Sequence, residues 1–89
     1  MARFEMSSEE CGALGAIASG AVYLQLGLMF SIGRNAPVDR VSAHKWFNLA
    51  AREGVAEAAR MRRELSLEMS PEEIADAQRM AREHIAAVH

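Results

Sequence analysis

The sequence predicts an all-helical protein, and three observations carry that expectation. Alanine is abundant, and only two prolines interrupt the 89 residues. Aromatic or β-branched residues never alternate with polar ones over a strand-length run. In the last segment apolar residues recur instead at intervals of three and four. With 51% apolar and 25% charged residues, the chain has the balance of an ordinary globular domain. Its length supports a single domain with one modest core.

The elements follow from local signals. Ser7-Ser8-Glu9-Glu10 reads as a capping box, with the Ser7 hydroxyl and Glu10 each satisfying a free backbone N–H. A short helix weakened by Gly12 and Gly15 should follow and end near Ser19-Gly20. A second helix is predicted from about 18 or 21 to 32, stopped by Gly33, since glycine accepts the left-handed backbone of a helix end. Residues 34 to 38 read as a tight connection in which Asn35 tolerates positive φ and Pro37 cannot extend a helix. Asp39 is the next N-cap, opening a helix over 40 to 53 that ends at Gly54. A further helix is predicted over 55 to 67. Ser70-Pro71-Glu72-Glu73 then combines a capping serine, a proline at the first helical position and acids in the first turn. The helix it opens carries Ile74, Ala77, Ala81, Ile85 and Val88 on one stripe, spaced 3, 4, 4 and 3.

Within the stretch 18 to 54 stand Leu26-Gly27, Phe30, Gly33, Asp39, Ala43, Trp46-Phe47, and Ala50-Ala51 followed by Gly54. This spacing resembles the Sel-one-like repeat family, a short relative of the tetratricopeptide repeats. Asn35 and Ala36 depart from the glycine and valine usual in that family. After Gly54 the pattern restarts with Ala58 and then breaks, because Arg62-Arg63 occupy the place of a second Leu-Gly. The run 69 to 78 is similar to the tail that follows such repeats in bacterial proteins. The resemblance covers roughly residues 18 to 84 and implies a tetratricopeptide-like short α-solenoid of about five helices in antiparallel pairs. It divides the single domain 1–89 into an N-terminal helix (1–19), a full repeat (20–54), a half repeat (55–69) and a C-terminal capping helix (70–89). Independently of the family, Gly27, Ala43, Ala50 and Ala51 allow close helix approach, while Phe30, Trp46 and Phe47 supply core bulk.

The formal charge of −2 hides a segregation. Residues 34 to 63 carry seven Lys/Arg against three Asp/Glu, while 64 to 89 carry six acids against two arginines. The acidic segment is therefore expected to fold back onto the basic middle. A nucleic-acid partner is not expected, because the arginines alternate with Glu53, Glu57 and Glu64 and no aromatics interleave with them. Cys11 is the only cysteine, so it forms no intrachain disulfide. With the acids Glu5, Glu9 and Glu10 near the start, this points to a cytoplasmic setting. Residues 11 to 33 contain no charge, and the alternative reading is a membrane-associated protein with that run inserted in the bilayer.

No catalytic, cofactor or metal constellation is predicted. His84 and His89 lie five apart, the wrong interval for two ligands on one helical face. No Gly-rich phosphate loop is present, and the glutamate pairs at helix starts compensate the helix dipole. His44 reads as a surface or half-buried histidine. The functional expectation is instead a protein–protein interaction module, an adaptor or small regulator. At about 100° per residue, Val22, Leu26, Met29, Phe30 and Gly33 of the second helix share one face, expected to pack on Ala43, Phe47 and Ala50. Leu24, Leu28 and Ser31 point the other way. Leaving both leucines exposed would forgo about 3 to 6 kcal/mol, comparable to the net stability of a small domain. The cover could be one of the chain's own terminal helices, a second copy in a homo-oligomer, or another protein. In the resembled folds the first helix of a pair lines the binding surface, which implies that Tyr23, Leu24, Leu28 and Ile32 contact the partner.

Overall fold

The computed structural model describes residues 19–35 and 37–88. It is helical throughout, with α1 (Gly20–Ile32), α2 (Arg40–Arg52), α3 (Ala56–Ser66) and α4 (Pro71–Val88), and no strand among the described residues. The expected helix within 1–19, with its Ser7–Glu10 capping box, and Cys11 lie outside those residues.

Several boundaries have a clear local cause. Gly33 closes α1 with a left-handed backbone at φ 77°, and the Arg34 N–H reaches back to the Met29 carbonyl at 3.0 Å. Asn35 also takes positive φ, 65°, and the Asp39 N–H returns to the Phe30 carbonyl at 3.0 Å. Asp39 caps α2 by accepting from the Ser42 N–H at 3.1 Å. Ser70 and Glu73 form a reciprocal capping box at the start of α4. The Ser70 N–H donates to Glu73 Oε1 at 2.9 Å, and the Glu73 N–H donates to Ser70 Oγ at 3.1 Å.

Helix α2 is the hub, packed against α1, α3 and α4. Its contact surface is built from small residues: Ala43 and Ala50 are fully buried, as are Ala58 of α3 and Ala77 of α4. Phe47 is the one large side chain buried below 2% exposure among the described residues. Alanine at these positions brings helix backbones close together, and the single ring fills the space they leave. The α4 stripe expected from the sequence faces this core, with Ala77 and Ala81 buried and Ile74, Ile85 and Val88 partly so.

The rotation of α1 corrects one expectation. Tyr23 and Gly27, not Val22, Leu26 and Met29, face α2. Val22 is 47% exposed. A Cβ on Gly27 would lie 2.4 Å from the Phe47 ring, so the helices meet where Gly27 has no side chain. Because α1 is apolar on nearly every side, a helical wheel carries no phase for it. Close approach and the Tyr23 hydroxyl set the phase instead.

The charge expectation holds for packing and not for pairing. Helix α4 does lie on α2, but through apolar residues. Most described ion pairs are local, Arg60 with Glu57 and Glu64, and Arg79 with Asp76 and Glu83. Among the described pairs Arg40 with Glu68, at 3.4 Å, is the one between residues of the two charge segments that are far apart in the chain. All these side chains are about half exposed or more, so water screens the pairs and they contribute little to stability.

Gly27→Ala should destabilise the fold despite its better helix propensity. The methyl must displace a buried ring, at about 1 to 3 kcal/mol, against a propensity gain of about 1 kcal/mol. Ser70→Ala should cost about 1 kcal/mol through the lost cap. Urea denaturation followed by helical circular dichroism checks both, and a Gly27→Ala chain as stable as the parent would refute the close contact.

Candidate functional site

Helix α1 presents different chemistry on its different sides. On the side turned to α4, the Tyr23 ring stacks on Trp46 of α2 with centroids 5.8 Å apart and planes 22° apart. The His84 ring meets both edge-on, with centroids at 5.8 Å from Tyr23 and 5.4 Å from Trp46. The Tyr23 hydroxyl lies 3.3 Å from His84 Nε2, and Lys45 Nζ sits 4.1 Å from the centroid of the Trp46 ring. Burial, followed by the nearby Glu53 carboxylate and opposed by Arg52, raises the Tyr23 pKa. The phenol therefore stays protonated, a hydrogen-bonding group and not a base. Burial likewise lowers the Lys45 pKa.

Beside this cluster a cavity of about 210 Å³ is lined by Tyr23, Leu49, Arg52, Glu53, His84, Ile85 and Val88. Toward α3, a groove of about 210 Å³ has Phe47 in its lining, with Ser31 on one flank and Met61 and Leu65 on the other. Glu64 and Glu68 complete this lining. Leu24 and Leu28 share the Ser31 side of α1 by helical spacing, and both are half-buried against the core. Away from α2, Val22, Gln25, Leu26, Met29, Arg34 and Asn35 line a shallow depression of about 370 Å³.

The four residues expected at a partner surface are therefore not equivalent. Tyr23 is 5% exposed and belongs to the aromatic cluster. Leu24 and Leu28 are partly covered by the chain's own core. Ile32 is open, at 61% exposed. Val22, assigned from the wheel to the core, joins Ile32 on the outside.

A serine–histidine pair occurs between α2 and α3, where His44 Nε2 is 2.9 Å from Ser66 Oγ. It is not wired as a nucleophile and its base. Ser66 Oγ donates its only proton to the Arg62 carbonyl at 2.9 Å, so it accepts from the imidazole. His44 Nδ1 has no partner to orient it. His44 is 2% exposed, against the sequence expectation of a surface or half-buried ring. Among the described residues no group of three or more His, Cys, Asp or Glu could hold a metal. Nor is any described helix long and apolar enough to cross a membrane. Residues 11 to 18 of the uncharged run fall outside the described residues.

Sequence reasoning missed both histidines' surroundings. A signal existed for His84, since its spacing from Ala77 and Ala81 places it on the buried stripe of α4. None existed for the pairing of His44 with Ser66, which depends on how α3 lies across α2.

No protein-family model matches this sequence, and no curated protein or solved structure is significantly similar to it. The likeness to Sel-one-like repeats therefore rests on the residues that carry it.

Tyr23→Phe should keep the aromatic stack and lose only the hydroxyl bond to His84, costing about 0.5 to 1.5 kcal/mol. Tyr23→Ala should cost about 3 to 5 kcal/mol. Chemical denaturation read by fluorescence of Trp46 separates the two, and equal effects would show that the ring does not anchor α4.

Proposed function

We propose that this chain is a non-catalytic protein–protein interaction module of the Sel-one-like kind, a small cytoplasmic adaptor or regulator that holds a partner helix or peptide against α1. The single observation that carries this reading is the character of α1. It has no charged residue, yet Val22 is 47% exposed and Ile32 61% exposed. A helix of that composition is ordinarily buried on every side.

Magnitudes set the extent of the contact. Full burial of a valine or isoleucine is worth about 1.5 to 3 kcal/mol, so covering the exposed parts of both yields about 2 to 3 kcal/mol. Association costs at least about 4 kcal/mol in lost freedom. The partner must therefore also use Leu24 and Leu28 and the groove over Phe47. Tyr23 supports that surface from beneath, through Trp46 and His84. The partner is another protein or a second copy of the chain, and its binding energy comes from apolar burial on a preformed helical face. No cofactor takes part.

Leu28→Glu combined with Ile32→Glu should reduce binding to the partner, or self-association, by about a hundredfold or more, taking roughly 1.4 kcal/mol per factor of ten. Helical circular dichroism should stay unchanged. Pull-down and analytical ultracentrifugation read the result. Undiminished association by the folded double variant would refute the assignment to α1.

A further inference from the structure

Two polar contacts cross the seam between α2 and α3, one from Arg62 to Asn48 and one a chain through His44. His44 Nε2 contacts Ser66 Oγ at 2.9 Å, and Ser66 Oγ donates to the Arg62 carbonyl at 2.9 Å. A hydroxyl has one proton, and here the carbonyl takes it. Nε2 must then carry the hydrogen, which leaves Nδ1 as a bare lone pair. That atom is buried and has no hydrogen-bond partner. A second proton on the ring would create a buried N–H⁺ with nothing to accept it.

The charged surroundings give that proton no compensation. On α3 the charge that acts on the ring is Arg62, whose guanidinium donates to Asn48 Oδ1 at 2.7 Å. On α2 itself the neighbouring charges are Arg40 and Lys45, both cations. Glu68, in the turn after α3, is paired with Arg40. Helix α1 has no charged residue. Toward the start of α2, Asp39 accepts from the Ser42 N–H and hydroxyl, and Glu73 of α4 accepts from the Ser70 N–H.

We infer that His44 is an acid-sensitive fastener: its protonation releases α3 from α2 and opens the groove walled by Met61 and Leu65 over Phe47. Burial, and after it Arg62, hold the His44 pKa below the ordinary histidine value, which agrees with this geometry. The sign follows. In the closed state the ring resists protonation, whereas in the open state it titrates normally, near pH ~6.5. The closed seam is thus at full strength above that pH and weakens as pH falls below it, toward the depressed value of the closed state. Carboxylates titrate lower, near pH ~4, so the window from about 7.5 to 5.5 belongs to histidine.

Hydrogen exchange of the α3 amides on the full chain, corrected for the intrinsic pH dependence of exchange, tests this. The opening equilibrium should rise between pH ~7.5 and ~5.5, by up to about tenfold. His44→Gln, whose amide can still donate to Ser66 but cannot titrate, should abolish that rise, and His84→Gln should leave it in place. Flat exchange in the parent chain, or a rise that survives in His44→Gln, would overturn the inference. Nitrogen-resolved NMR of the parent imidazole gives an answer even if the variants fold poorly. A neutral ring with its hydrogen on Nε2 at pH ~5.5 supports the fastener, and a doubly protonated ring in a chain whose α3 remains protected refutes it.

Discussion

The close contact between Gly27 of α1 and the Phe47 ring of α2 is the constraint on which the rest of the structure depends. Phe47 is the largest fully buried side chain described, and the other buried apolar residues are mainly alanines. A core of this kind has little bulk to redistribute. Its stability comes from many short-range contacts between closely approaching backbones, each small and all dependent on the same spacing. With Gly27 placing α1 against the ring, Tyr23 comes to lie beside Trp46, and Leu24 and Leu28 pack partly buried against the core.

Two polar arrangements add specificity to a core that has little shape of its own. The Tyr23–Trp46–His84 cluster gathers α1, α2 and the second half of α4 at one place. The His44–Ser66–Arg62 chain does the same for α2 and α3. Smooth alanine surfaces could slide over one another with small losses. A hydrogen bond or an aromatic edge tolerates far less displacement. The polar contacts therefore select one register among several that hydrophobic burial alone would accept, while the surface ion pairs contribute little to either.

The same economy leaves α1, among the described residues, open at Val22 and Ile32. With α2 serving as the hub for all three neighbours, α1 has one packed face and two flanks. Its uncharged outer residues remain in water at a cost that a partner could recover. The proposed interaction surface is thus a consequence of a fold with few layers, and the groove over Phe47 is where apolar residues from α1 and α3 come nearest to a shared site.

Most of the helix boundaries were legible in the sequence where a local cause marks them. Gly33 and Asn35 accept positive φ, Asp39 and Ser70 cap, and Pro71 fits only a first turn. The stripe on α4 was legible for the same reason, since its apolar and polar residues alternate at helical spacing. The orientation of α1 was not. A helix apolar on every side has no preferred face until something packs on it, so Val22 was expected inside and Tyr23 outside. Tertiary contact decided the reverse, through a glycine that admits a ring and a phenol that finds a histidine 61 residues away. The burial of His44 was likewise decided by tertiary packing, which brings Ser66 of α3 to its ring. Local chemistry determines where helices begin and end, whereas the face each one buries is settled only when the backbones come within reach of one another.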